Sequence, residues 1–76
     1  MSSGYLVVLE SDDATGYSAY SPDLPGVIAA AETRQECEKL MREAMAFHIE
    51  GLVADGDPVP QPSNPAAVIF IDPAAA

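Results

Sequence analysis

The chain has 76 residues, 49% of them apolar, with twelve Asp and Glu against three Lys and Arg, a formal net charge of −9. That length holds one hydrophobic core and excludes a second domain. The charge excludes a surface that grips the phosphates of DNA or RNA directly, but it would draw a basic partner inward. A lone cysteine, Cys37, and a lone histidine, His48, exclude a disulfide framework and a four-ligand zinc site.

A domain of this length buries only about 60% of the surface of its unfolded chain, and without disulfide or metal it often leans on a partner subunit. Met1-Ser2-Ser3-Gly4 carries no basic segment of the kind that opens a signal peptide. No apolar stretch approaches the ~18 to 20 residues that span a bilayer, so no membrane contact is expected. A single free thiol suits a reducing compartment, and the expected location is cytoplasmic.

Tyr5-Leu6-Val7-Val8-Leu9 is dense in β-branched and aromatic residues and predicts a first strand over about 5–10. The polar cluster Ser11-Asp12-Asp13-Ala14-Thr15-Gly16 predicts a hairpin loop, and Tyr17-Ser18-Ala19-Tyr20 an antiparallel second strand over about 16–21. In Ser21-Pro22-Asp23-Leu24-Pro25-Gly26, Pro25 presets φ and Gly26 accepts a positive φ, as a type II turn requires. Val27-Ile28-Ala29-Ala30-Ala31 then predicts a short third strand, although alanines form strands poorly.

Thr33-Arg34-Gln35-Glu36 fits a helix capping box. Beyond it Cys37, Leu40, Met41, Ala44, Phe47, His48 and Leu52 recur at three- and four-residue spacing, with Glu36, Lys39, Arg42, Glu43 and Glu50 on the other face. The pattern predicts an amphipathic helix over about 34–54, ending at Asp55-Gly56. Four prolines between 57 and 65 predict an extended connection, and Ala67-Val68-Ile69-Phe70-Ile71 a fourth strand over about 67–71.

These elements predict a single α+β domain of order β-β-β-α-β. A strand reached through a long helix usually pairs parallel by a right-handed crossover, which gives a mixed four-stranded sheet of order 3-2-1-4 with the helix on one face. In the first strand Tyr5, Val7 and Leu9 point one way, Leu6 and Val8 the other; in the fourth, Val68 and Phe70 oppose Ile69 and Ile71. Both faces are apolar and one helix covers only one, so association to a homo-oligomer, a dimer or higher, is expected.

Gly16-Tyr17-Ser18-Ala19-Tyr20-Ser21-Pro22-Asp23-Leu24-Pro25-Gly26, followed by a short strand and a helix opening on Glu36-Cys37, resembles the N-terminal domain of HicB-type antitoxins. The resemblance runs from about Tyr5 to about Pro62, and Pro22-Asp23-Leu24-Pro25-Gly26 is its most specific part. It implies a partial ribonuclease-H-like fold and a role in binding and blocking a HicA toxin, a small basic ribonuclease that cleaves messenger RNA. Two features depart from the family's pattern. Ala31-Glu32-Thr33 stands where many members have Gly before the acidic residue and Thr, and no C-terminal DNA-binding domain follows, so autorepression by this chain alone is not expected.

Neither catalytic nor metal-binding residues nor a cofactor are expected. Glu10 and Asp72 would share one end of the sheet, as metal-dependent nuclease chemistry needs, but the middle of the first strand holds no carboxylate. His48 and Cys37 fall on the apolar stripe and read as packed residues, and Asp12 and Asp13 lack the spaced oxygens that calcium requires. The candidate contact residues are Tyr5, Tyr17, Tyr20, Asp23, Val68 and Phe70. Tyr17 and Tyr20 suit an interface and ordinary sheet packing equally, whereas Asp23 reads first as a cap of its own turn. The rival functions are an orphan oligomeric binding module with another protein or ligand partner, and the metal-dependent nuclease.

Overall fold

The computed structural model describes residues 4–14, 16–62, 69 and 71–75. Three strands, β1 (Val8–Asp12), β2 (Gly16–Tyr20) and β3 (Ile28–Ala31), precede one long helix, α1 (Arg34–Asp55), and a short 3-10 turn closes the order at Pro73–Ala75. The sheet is antiparallel throughout, in the order β1-β2-β3. The fold is thus α+β, with the three strands adjacent in the predicted order.

The first strand lies further along the chain than its apolar run suggests. Val8 pairs with Tyr20 and Asp12 with Gly16, so the polar residues Glu10, Ser11 and Asp12 belong to the ladder and the hairpin reverses between Asp12 and Gly16. β2 ends at Tyr20, and upstream of Val8 no strand remains opposite the chain. Leu6 bonds to side chains instead, as described below. The predicted fourth strand is not seen among the described residues, and neither is the sheet order 3-2-1-4. Ile69 and Ile71 are exposed and in no strand, and Val68 and Phe70 lie outside the described residues together with residue 67.

Gly16 is fixed by two constraints. Its φ is +94°, where a Cβ is strained, and a Cβ there would stand 2.6 Å from the Ala31 carbonyl oxygen and 2.9 Å from the Glu32 Cα. Backbone from the end of β3 therefore lies directly against this residue. Gly26, at φ +92°, fills the position that a type II turn reserves for a residue with positive φ.

The helix begins on the N-cap bond of the predicted box: the Thr33 hydroxyl accepts from the Glu36 N–H at 3.1 Å. It ends in a Schellman arrangement, with Gly56 at φ +73°, its N–H donating to Val53 O and that of Asp57 to Leu52 O. Between these ends Cys37, Met41 and Met45 are buried, a strict four-residue row, with Ala44, Ile49 and Leu52 half-buried around it. Leu40 and Phe47, predicted on the buried stripe, are exposed, Phe47 at 77%. Spacings of three and four both fit one helical face, and the row chosen is the one that meets Ala19, Leu24 and Val27.

The alanines of β3 acquire a reason here. Ala19 on β2 and Ala29 and Ala31 on β3 face the helix, and such small side chains let α1 settle close over β2 and β3. It touches β1 less. Replacing Gly16 by Ala is expected to lower stability by about 2–4 kcal/mol, a Tm fall of about 10 °C or more. Gly51→Ala, at an exposed helical position where a Cβ meets nothing within 4 Å, is expected to raise stability by about 0.5–1 kcal/mol. Thermal denaturation followed by circular dichroism measures both.

Candidate functional site

The loop between β2 and β3 carries the most specific sequence motif, and it works as a clasp. Ser21, 4% exposed, donates its hydroxyl to the Leu6 carbonyl at 2.6 Å and accepts from the N–H groups of Asp23 and Leu24, each at 3.2 Å. The Asp23 carboxylate accepts from the Leu6 N–H at 2.8 Å. Both backbone groups of Leu6 are thereby satisfied by side chains, in place of a strand neighbour. Asp23, expected to cap its own turn, reaches across to a segment 17 positions away. Leu24, carried inward by the same loop, is fully buried.

The clasp anchors the segment that leads into β1, and with it two surfaces. The first is the sheet face opposite α1. Residues paired across a ladder point to the same side, so Val8, Tyr20 and Ile28 form one row there and Glu10, Ser18 and Ala30 the next. Tyr20 is 46% exposed and Ile28 77%. Among the described residues no element covers this apolar row and its acidic neighbour.

The second surface is a groove of about 370 Å3 between β1 and α1, walled by Tyr5, Val7, Leu9, Met41 and Met45, with Glu38 and Arg42 on its rim. It exists because the helix sits toward β3. The Tyr5 hydroxyl donates to the Pro60 carbonyl, so the proline-rich connection returns to the mouth of this groove. Glu38 and Arg42 pair at 3.3 Å across one helical turn, and both are well exposed, an arrangement worth about 0.3–0.5 kcal/mol. A comparable groove of about 390 Å3 lies at the other side of the helix, among Val27, Ile28, Phe47, His48 and Leu52.

The predicted contact residues therefore divide. Tyr20 is on the uncovered face, Tyr5 lines the groove beside β1, and Tyr17 packs half-buried toward the helix. An odd separation of three places Tyr17 and Tyr20 on opposite faces. Asp23 belongs to the clasp, and Val68 and Phe70 lie outside the described residues. Sequence reasoning missed Ser21. The signal was present, since a Ser before Pro-Asp readily bonds the amides two and three residues on.

Glu10 is exposed on the open sheet face, and the Asp72 carboxylate accepts from the Ala74 N–H at 2.9 Å as a cap of the final turn. Among the described residues no group of three His, Cys, Asp or Glu is placed to hold a metal ion. Cys37 is a buried free thiol, its Sγ 3.8 Å from the Ala29 carbonyl oxygen. His48 is half-buried beside Gly26. No helix among the described residues is long and apolar enough to cross a membrane.

The charge is unevenly spread. Residues 34–43 hold three acids and all three bases, so the entire net charge of −9 resides on the rest of the chain, where every ionised side chain is acidic.

A half-covered antiparallel sheet, one amphipathic helix and a surface on which acids far outnumber bases define a small acidic α+β module. Over residues 5–73 the chain matches the family described as the HicB_like antitoxin of bacterial toxin-antitoxin system, and it belongs to that family. It is 37% identical over 57 residues to the UPF0150 protein ssr1765 of Synechocystis sp., covering 75% of this chain and 72% of that one. It is 42% identical over 50 residues to a 14.9 kDa protein from the rep-hol intergenic region of Haemophilus phage HP1, covering 66% of this chain but 37% of the phage protein. The crystal structure of TTHA0281 from Thermus thermophilus superposes with a TM-score of 0.64 at 32% identity, covering 74% of this chain and 69% of that one.

Removing the clasp has a measurable cost. Ser21→Ala leaves the Leu6 carbonyl and two amides without their partner and is expected to cost about 2 kcal/mol, and Asp23→Ala about 1–2 kcal/mol. Because both side chains hold Leu6, the double variant is expected to lose less than the sum. Urea denaturation of the four proteins in this cycle checks it.

Proposed function

We propose that this chain is a single HicB-like domain that binds and neutralises a basic, HicA-type, mRNA-cleaving ribonuclease toxin, acting in the cytoplasm as a binding protein and not as an enzyme. The observation that carries the reading is the acids-only character of everything outside residues 34–43, in a member of an antitoxin family. A ribonuclease must present cationic groups to its phosphate substrate. Those groups meet complementary charge here, and the uncovered row of Val8, Tyr20 and Ile28 beside Glu10 supplies the apolar contact that holds the complex once formed.

Self-association, at least to a dimer, is part of the same reading. Full burial of an Ile or Phe side chain stabilises by about 1.5–3 kcal/mol, against a total of about 5–15 kcal/mol for a whole domain. Ile28 and Phe47, each 77% exposed, are therefore a substantial fraction of what this molecule gains from company. The run over 67–71 is its fourth strand in the assembled state.

The test is co-expression with a small basic polypeptide encoded beside this chain. Growth arrest by that polypeptide is expected to be relieved by this chain and no longer relieved by Tyr20→Asp/Ile28→Asp. The association rate, followed by stopped-flow fluorescence, is expected to fall about tenfold or more between 0.05 and 0.5 M salt. A stable homo-oligomer that ignores every small basic protein would leave the orphan binding module as the reading. Magnesium-dependent RNA cleavage abolished at Glu10 or Asp72 would replace it with the nuclease.

A further inference from the structure

We infer that the groove between β1 and α1 is the seat of a second copy's tail: residues 67–71 of one chain add as a strand to the free edge of β1 in another. The inference rests on the self-association proposed above and names the segment and the surface that produce it.

Four observations lead to it. β1 is an edge strand, and among the described residues its outer side has no strand partner. Leu9 of β1, with Tyr5 and Val7 of the segment leading into it, meets Met41 and Met45 across a groove instead of a closed core. The tail supplies a continuous apolar run of five residues, 67–71, yet Ile69 and Ile71 of the same chain are 71% and 76% exposed. They do not fill their own groove.

The fourth observation concerns register. Tyr5 holds Pro60 by its hydroxyl, which fixes the connection beside the start of β1. An extended chain advances ~3.3 Å per residue. Seven residues at that rise reach about 23 Å, the span from Tyr5 to Asp12, so a connection laid extended along its own β1 would bring the apolar run only to the end of that strand. The stretch left alongside that β1 would contain Pro60, Pro62 and Pro65, which lack the N–H that a ladder needs. A second copy brings the run to the right place without that obstacle, its proline segment serving as a stiff spacer between the two bodies.

Charge decides against the toxin as occupant. The walls of the groove are apolar, and its rim pair, Glu38 and Arg42, is neutral in sum, so nothing there selects a cationic protein. Two copies at −9 each repel at a distance, and salt screens that repulsion. Self-association is therefore expected to tighten several-fold over the same salt range in which toxin capture slows.

An equimolar mixture of 13C-labelled and unlabelled chains tests the inference. Isotope-filtered NOEs are expected from Val7 and Leu9 methyls of the labelled copy to Ile69 and Ile71 of the unlabelled one. Ile69→Asp/Ile71→Asp is expected to weaken dimerisation at least tenfold in sedimentation equilibrium, with an unchanged circular dichroism spectrum. Contacts of that tail confined to its own chain, occupation of the groove by the toxin, or an oligomer that survives Ile69→Asp/Ile71→Asp would each overturn the inference and leave toxin neutralisation standing. A wild-type chain that is monomeric at NMR concentration would remove the self-association reading along with it.

Discussion

The structure depends on one geometric constraint: among the described residues a single 22-residue helix serves as the second layer against the sheet. Its position is set by the smallest side chains of the sheet. Ala19, Ala29 and Ala31 admit the helix closely over β2 and β3, and the contact with β1 is correspondingly sparse. The small core, the groove beside β1 and the uncovered opposite face all follow from that placement. A β3 built from larger residues would lift the helix away and change each of them.

What keeps so small a sheet in register is not apolar burial alone. The hydroxyl of Ser21 and the carboxylate of Asp23 bind the backbone of Leu6 and so continue the edge of the sheet past the last paired residue of β2. At the other end Gly16 lets the backbone after β3 come within contact of the hairpin. Polar groups buried in this way contribute modestly when satisfied and penalise strongly when one partner is lost, which makes the loop from Ser21 to Gly26 a specificity device as well as a turn. The family resemblance and the mechanical role of that loop coincide.

Much of the fold was legible in the sequence because the signals were local. The Thr33 cap, the Gly56 stop, the Pro25-Gly26 turn and the β-β-β-α order each rest on chemistry within a few residues. The start of β1 was not legible, since the apolar run of residues 5–9 gives no hint that pairing begins only at Val8, where β2 happens to end. The phase of the helix was half legible: Leu40 and Phe47 share the spacing of the buried row, and only the location of Leu24 and Val27 decides between them and Met45. Of the contact residues, Tyr20 lies exposed on the open sheet face, Tyr5 lines the groove, and Asp23 bonds to the Leu6 backbone, a partner distant in sequence that local chemistry does not announce.

The buried row of α1 consists of Cys37, Met41 and Met45, and its chemistry sets how the core responds to a change of side chain. Thioether and thiol side chains are unbranched or short, soft and polarisable, and they change shape at lower cost than Leu, Ile or Phe. Methionine rotamers adjust to small changes of volume, so the centre of this core tolerates conservative exchange of size better than a row of branched side chains would. The domain thus couples side-chain bonds to backbone at the sheet's edge with a sulfur-rich centre beneath its helix.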